Sequence, residues 1–366
     1  MQTARQPETD FHFLSELVLT DSDSPAYANR IAESVRDLTP ARFEAILELA
    51  AKNHVVIRAF SRLNEALRVN GRADLADQVS LAIEEENSRI REALGFLDRI
   101  CTSLEQNGCS VTVIKTLDHW PDLGSDLDLY TDAEPADVVN VMRTRFGAKV
   151  DNRSWGDRLA NKWNFVVPGL RELVEVHIGR LGQTGEQTAV SKSLSGRTRV
   201  INVEQYSFRV LAPEDRIIIS TLQRMYRHFY IRLCDVVDNV RLLDSENESF
   251  DFTYLRKLGS AAGIWDGIAT YLTVISGYVE SFRGRGIAFP ALVTGSAKFG
   301  VDQIHYRRDF LRVPILPHSF NLYAGELKTL LMRGEVRNSL RLSLLPGLAT
   351  AAALELKVTG SDKGIW

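Results

Sequence analysis

The chain has few cysteines, no long apolar run and almost no net charge, and each shortage removes a class of function. Its three cysteines, Cys101, Cys109 and Cys234, are odd in number and show no C-x-x-C spacing. A disulfide framework or thiolate zinc cluster is therefore not expected, and reduced buried thiols are the ordinary reading. Met1 to Asp10 is polar and lacks the apolar stretch of a secretory leader. The most apolar late segment, Leu342 to Leu356, is interrupted by Pro346-Gly347 and ends in Glu355-Leu356. It is too short to cross a bilayer and reads as a core helix, so no membrane span is expected and the cytoplasm follows by default. Lys and Arg number 44 against 47 Asp and Glu, a net charge of −3. That balance supplies no overall pull toward nucleic acid or anionic lipid. Any affinity for phosphate has to come from a local cluster.

What is present is an ordinary globular composition, 45% hydrophobic and 25% charged over 366 residues. A chain of this length exceeds the usual single-domain size and can bury a sizeable core without covalent staples. Ala28 to Leu104 reads as helical. Thr39-Pro40 supplies an N-cap followed by proline at the first helical position, and Phe43, Ile46, Leu47 and Ala50 recur at helical spacing. Ala82 to Leu104 carries Ile83, Ile90, Leu94, Leu97 and Ile100 on one side, with acidic residues opposite.

The texture changes at Asn107-Gly108. Ser110 to Ile114 holds a β-branched run that suits a buried strand, and Asp126 to Tyr130 alternates aspartate with apolar residues, placing both aspartates on one strand face. Pro135 to Arg145 reads as a helix. Lys162 to Val167 and Glu172 to Ile178 flank the turn dipeptide Pro168-Gly169 and read as a hairpin. Gly179 to Gly196 is polar and loop-like, and Val200 to Val203 is strand-like. Pro213 to about Leu243 reads as one long helix, followed by a break at Arg283-Gly284-Arg285-Gly286 and Phe289-Pro290. The fold class expected is α+β, a small mixed sheet flanked by N-terminal and C-terminal helical modules. The boundaries expected are 1–105 for the first helical module, 106–205 for the α/β core, 206–282 for a helical module packing on it, and 283–366 for a mostly helical C-terminal segment.

Asp126 and Asp128 are the chemically pointed residues. Two carboxylates on one strand face repel each other unless a cation lies between them, and Mg2+ seeks converging carboxylate oxygens. Glu175, in the alternating run Leu173-Val174-Glu175-Val176-His177, can add a third carboxylate from a neighbouring strand, with His177 on its face. A bare Asp-x-Asp is weak by itself: Asp21-Ser22-Asp23 repeats it in a polar turn. Context separates the two, since Leu127 and Leu129 mark a buried strand and Gly124-Ser125 precedes it.

The segment Val113-Ile114-Lys115-Thr116 followed by Asp126-Leu127-Asp128-Leu129 resembles the polymerase-beta-type nucleotidyltransferase superfamily, and more narrowly a bacterial nucleotidyltransferase family within it. Phe43 to Val55, Val174-Glu175-Val176-His177 and Leu211-Ala212-Pro213-Glu214-Asp215 resemble other parts of that family, so the similarity spans roughly 40 to 277. The resemblance implies a nucleotidyltransferase-type sheet with Asp126, Asp128 and Glu175 as catalytic metal ligands. It also implies two Mg2+ ions, with Mn2+ as the alternative, and Lys115 near the phosphates or acceptor. The chain departs from the pattern at Lys115-Thr116, where the superfamily carries a glycine pair.

Counter-charge for a triphosphate is sought on the helix from Pro213. Leu222, Met225, Phe229, Leu233, Val236 and Val240 form its apolar arc, with Arg224, Arg227 and His228 opposite, beside Asp235 and Asp238. The alternative for that face is solvation, with Arg232 pairing with Asp235. The nucleotide-binding set is thus Lys115, Thr116, Ser125, Arg224, Arg227 and His228. His119 and Trp120, in the loop before Asp126, are candidates for a base or acceptor contact. The activity expected is Mg2+-dependent transfer of a nucleoside monophosphate from a nucleoside triphosphate such as ATP to an unidentified acceptor, releasing pyrophosphate. A small molecule, peptide or protein is the acceptor class expected, and nucleic acid is not favoured. Two other functions compete: a catalytically silent nucleotide- or partner-binding protein, and an Asp-x-Asp metal-dependent glycosyltransferase. The second normally places a longer α/β region before the motif.

Overall fold

The protein is described as a computed structural model covering residues 6–21, 25–246, 249–348 and 350–351. Ser22 and Asp23 of the second Asp-x-Asp lie outside these residues, as does the end of the late apolar segment from position 352. The chain opens with five helices, α1 (Gln6–Leu19), α2 (Pro25–Arg36), α3 (Pro40–Lys52), α4 (Val56–Val69) and α5 (Ala73–Gln106). Thr39 caps α3 as expected: its hydroxyl accepts from the Arg42 N–H at 3.2 Å, with Pro40 in the first turn. The helical stretch begins earlier than the sequence reading placed it. Phe11, Leu14 and Leu17 bury one face of α1 behind the polar opening residues.

Seven strands follow. They are β1 (Val111–Val113), β2 (Asp126–Thr131), β3 (Lys149–Val150), β4 (Lys162–Val166), β5 (Leu173–Ile178), β6 (Thr198–Val203) and β7 (Tyr206–Leu211). They form a mixed sheet in the order β3-β4-β5-β2-β1-β7-β6. The helices α6 (Pro135–Phe146), α7 (Trp155–Ala160) and α8 (Thr188–Leu194) lie between strands in sequence. The expected hairpin is β4–β5, antiparallel, whereas β2 and β5 run parallel. The fold is therefore the α+β class expected, a mixed sheet with flanking helices.

One face of the sheet buries Leu127, Leu129, Val174 and Val176 against Ile90, Leu94 and Leu97 of α5 and Val138 and Met142 of α6. Because strand side chains alternate, Asp126, Asp128, Glu175 and His177 emerge on the other face. The helices that follow the sheet are α9 (Pro213–Thr221), α10 (Leu233–Ser245), α11 (Phe252–Ala262), α12 (Trp265–Arg283), α13 (Ala291–Thr294), α14 (Phe320–Met332) and α15 (Val336–Ser343). A second core joins the two ends of the chain. Leu14 and Leu17 of α1 and Phe60 and Leu63 of α4 cluster with Ile218 of α9, Val236 and Val240 of α10 and Leu272 of α12. No helix among the described residues is long and apolar enough to cross a membrane.

Two sequence expectations need correction. The polar run 179–196 is not all loop, since Thr188–Leu194 forms α8. The Glu186 carboxylate accepts from the N–H groups of Gln183 and Thr184 at 3.1 and 2.8 Å, organising the turn before it. Within the C-terminal segment, strand β10 (Phe310–Arg312) pairs with both β9 (His305–Arg307) and β8 (Tyr230–Ile231) in a small sheet. The second correction bears on the site: the long helix from Pro213 does not run to Leu243. It ends as α9 at Thr221, loosens into a π-helical turn at Leu222–His228, and stops at Phe229, whose φ is +53°. Phe229-Tyr230-Ile231 is a run of strand formers, and β10 satisfies its backbone. The chain then restarts as α10, with the Asp235 carboxylate accepting from the Arg232 N–H at 2.7 Å. The apolar arc survives because both segments pack on the same core, but a wheel drawn at constant pitch misplaces the polar residues between them.

Candidate active site

The site begins at the end of β1. Lys115 has φ +61° and ψ −51°, and the Thr116 N–H donates to the Ile114 carbonyl at 2.6 Å across it. This is a γ-turn of the strained hand, and the residue carrying it stands where the resemblance expects glycine. The turn leads into a single 3₁₀ turn, Thr116–His119. Thr116 is buried, and its hydroxyl is committed: it accepts from the Asp128 N–H at 2.7 Å and approaches the Asp126 carbonyl at 3.5 Å. Threonine here braces the Asp-x-Asp strand. His119 is held from behind, its Nδ1 against an Asp238 carboxylate oxygen at 2.5 Å. Asp238 also takes Arg58 at 2.5 Å, and Arg58 reaches Asp122 at 2.7 Å. Asp122 in turn accepts from the Ile57 N–H at 2.7 Å. This buried network ties the loop between β1 and β2 to α4 and α10.

The parallel register sets Asp128 directly opposite Glu175 and Tyr130 opposite His177. Each of the two facing carboxylates has a lysine. The Lys115 ammonium meets Asp128 Oδ1, and the buried Lys162 ammonium lies 2.9 Å from Glu175 Oε1 and 3.0 Å from Asp157 Oδ1. Lys162 was read only as the start of a strand and not as a site residue, although its strand parity in the hairpin pointed to this face. Asp126 lies nearer the opening. It forms no ion pair among the described residues and receives only the Ser125 hydroxyl, at 3.2 Å.

The electrostatics follow from that arrangement. Burial and the neighbouring charges of Glu175 and Asp128 push Asp126 up to about 6. Burial would raise Asp128 as well, but Lys115 and His177 outweigh it and hold its carboxyl well below the usual range. Burial and Asp128 oppose ionisation of Glu175, and Lys162, Lys115 and His177 prevail, lowering it. His177 is itself lowered by burial. Its Nε2 lies 3.7 Å from Asp128 Oδ1 and 3.9 Å from Glu175 Oε2, and neither ring nitrogen has a hydrogen-bond partner among the described residues.

The facing wall of the cleft is the π turn and the residues after it. Arg224, Arg227, His228, Tyr230 and Arg232 line the same cavity as Lys115, Thr116, Ser125, Asp126, Asp128 and Glu175. All six residues expected to meet a nucleotide are therefore brought together, though not on equal terms. Arg224 is 1% exposed, and its Nε lies 2.7 Å from Asp235 Oδ2, so Asp235 pairs with Arg224 and not with Arg232. The Arg232 guanidinium instead meets His54 Nε2 at 2.7 Å. Arg227 forms no ion pair among the described residues. Burial, reinforced by Arg227, Arg224 and Arg232, drives His228 well below its ordinary pKa and leaves it neutral. His54 and Tyr230 were missed because nothing local marks them. His54 follows α3, and Tyr230 reaches the cleft only because the helix fails before it. Trp120, expected near a base or acceptor, does not line this cavity.

No curated protein matches the chain. Among solved structures, it is similar to an antigenic nucleotidyltransferase-like protein from Paracoccidioides brasiliensis, with 10% sequence identity, 56% of this chain and 97% of that chain covered, and a TM-score of 0.34. The profile of the family described as uncharacterised nucleotidyltransferase matches residues 39–275, a span that takes in both walls of the cleft, and the chain belongs to that family.

Proposed function

We propose that the protein transfers a nucleoside monophosphate from a nucleoside triphosphate to an acceptor hydroxyl, phosphate or amine, releasing pyrophosphate, with divalent cations held by Asp126, Asp128 and Glu175. The observation that carries this reading is the parallel pairing of Asp128 with Glu175, beside Asp126, across a cleft from Arg227. The residues fit a divalent cation. Asp128, Glu175 and His177 each offer a ligand atom within 4.8 Å of the others, and the His177 nitrogens are buried without partners among the described residues.

Bound Mg2+ or Mn2+ would supply neutralisation of the triphosphate oxygens and activation of the attacking group. The chain's own residues do the rest by positioning and charge. Thr116 fixes the Asp-x-Asp strand. Arg227 offers a forked donor pair to phosphate oxygens, and Arg232, whose guanidinium has no carboxylate partner among the described residues, adds positive potential beside it. A carboxylate oxygen of the cleft takes the acceptor's proton. The all-helical chain before β1 argues against the glycosyltransferase reading. One observation favours the silent binder: the Lys115 ammonium already rests on Asp128.

Calorimetric titration with each nucleoside triphosphate, with and without Mg2+, tests the proposal on wild type and on Asp126→Ala/Asp128→Ala. Metal-dependent binding that the double variant loses is expected, and the triphosphate bound best becomes the donor for an acceptor screen. A folded wild type that binds no triphosphate would sink the transferase reading, and preferential binding of a sugar nucleotide would replace it with the glycosyltransferase.

A further inference from the structure

The residue left unexplained by a carboxylate-only site is His177. It stands two positions beyond Glu175 on the same strand face and is only 7% exposed. A buried imidazole whose two nitrogens both lack partners is costly unless something absent from the bare chain satisfies it. Its Nε2 points between Asp128 Oδ1 at 3.7 Å and Glu175 Oε2 at 3.9 Å. The other Glu175 oxygen is turned away onto Lys162 at 2.9 Å, which leaves Oε2 facing the imidazole. Ligand atoms around an octahedral ion at about 2.1 Å lie about 3 Å apart when adjacent and about 4.2 Å when opposite. The two observed separations fall between those limits and all three ligand atoms lie within 4.8 Å of one another, so side-chain shifts of up to about an ångström close them onto one ion.

We propose that His177 is a metal ligand, and that the ion seated between Asp128 and Glu175 is a first-row transition divalent cation such as Mn2+ in preference to Mg2+. The inference deepens the proposed transferase reading and rests on its metal cradle. Carboxylates and water suit Mg2+, whereas imidazole selects for transition ions. Lys115 follows from the same geometry. Its ammonium holds the Asp128 oxygen that the ion requires, so metal entry displaces it toward the open cleft and the phosphates.

The test uses the full chain, freed of metal by chelation and then loaded with Mn2+ alone. Electron spin echo spectroscopy of the bound Mn2+ reads directly coupled nitrogen nuclei, and competition against Mg2+ gives the preference. Wild type is expected to show imidazole nitrogen coupling and to bind Mn2+ at least about tenfold tighter than Mg2+. His177→Gln, checked for an unchanged circular dichroism spectrum, is expected to lose the coupling and about tenfold in Mn2+ affinity, with Mg2+ affinity changed less than about threefold. Mn2+ bound by wild type without nitrogen coupling overturns the proposal, and that measurement needs no variant. Coupling that persists in His177→Gln, or no Mn2+ binding at all, overturns it equally. Wild type that shows the coupling but binds no triphosphate keeps His177 as a ligand and removes the transferase reading. Triphosphate binding without coupling does the reverse.

Discussion

The two walls of the cleft carry opposite charge but are built alike in one respect. On the sheet wall Asp128 and Glu175 each lean on a lysine, and Asp126 has none. On the π-turn wall Arg224 is buried against Asp235 and Arg232 against His54, and Arg227 has no ion pair among the described residues. Each wall thus pairs deep charges internally and leaves others without a counter-ion among the described residues, Asp126 on the sheet wall and Arg227 and Arg232 on the π-turn wall, the last resting on a His54 that burial holds neutral. Buried pairs fix shape at a desolvation cost and contribute little free charge. The unpaired groups at the opening are the ones with charge to offer a ligand. Residue type alone therefore does not rank the candidates on a wall; depth and pairing do.

The largest effect expected is on the arginines. Arg224→Ala should destabilise the fold by about 3–5 kcal/mol, because Asp235 is left charged and buried. Arg227→Ala should stay within about 0.5 kcal/mol of wild type. Urea unfolding monitored by circular dichroism measures both. Triphosphate affinity should fall about tenfold in Arg227→Ala, as for loss of a charge-assisted contact. Equal stability losses in the two variants would erase the distinction between deep and open charges.

A smaller effect separates the carboxylates. Asp126 titrates near 6 in the folded chain and near 3.8 unfolded, so between these values the folded state holds the extra proton. Stability of the metal-free protein should therefore fall as pH rises from about 4 to 6, by up to about 3 kcal/mol from this group. Asp128, lowered in the fold, contributes with the opposite sign, and its stabilisation is lost only as pH drops below the ordinary carboxylate range. Asp126→Asn should reduce the slope between pH 4 and 6 in denaturant midpoints without abolishing it, because burial also pushes Asp215 up to about 6. A slope unchanged in the variant would assign that proton elsewhere.

The smallest effect concerns the brace on the Asp-x-Asp strand. Thr116→Val keeps the volume but leaves the buried Asp128 N–H without its hydroxyl partner, and should cost about 2 kcal/mol. Thermal melts of the variant measure it. No change would mean that the strand, not Thr116, holds the carboxylates in place.

The sheet wall was legible because its information is local. Alternation in Asp126-Leu127-Asp128-Leu129 and Val174-Glu175-Val176-His177 follows from strand geometry whatever the strands pair with. Lys162 was equally legible by parity in the hairpin and was passed over. The π-turn wall was legible only in part. Its apolar arc announced a helical segment, but no periodicity reveals that the segment breaks at Phe229 and lends Tyr230 to a strand pairing with residues 310–312.

By itself the sequence determined the α+β class, the strand–turn–strand order and which face of each strand bears the acids, because covalent spacing and side-chain alternation require nothing from the rest of the chain. The tertiary structure alone decided that β5 lies parallel to β2 with Glu175 opposite Asp128, that Thr116 braces and Lys115 neutralises Asp128, and that Arg224 is sealed in while Arg227 is not. Those outcomes depend on contacts between residues far apart along the chain, and such contacts are set by packing and desolvation, which no local pattern encodes.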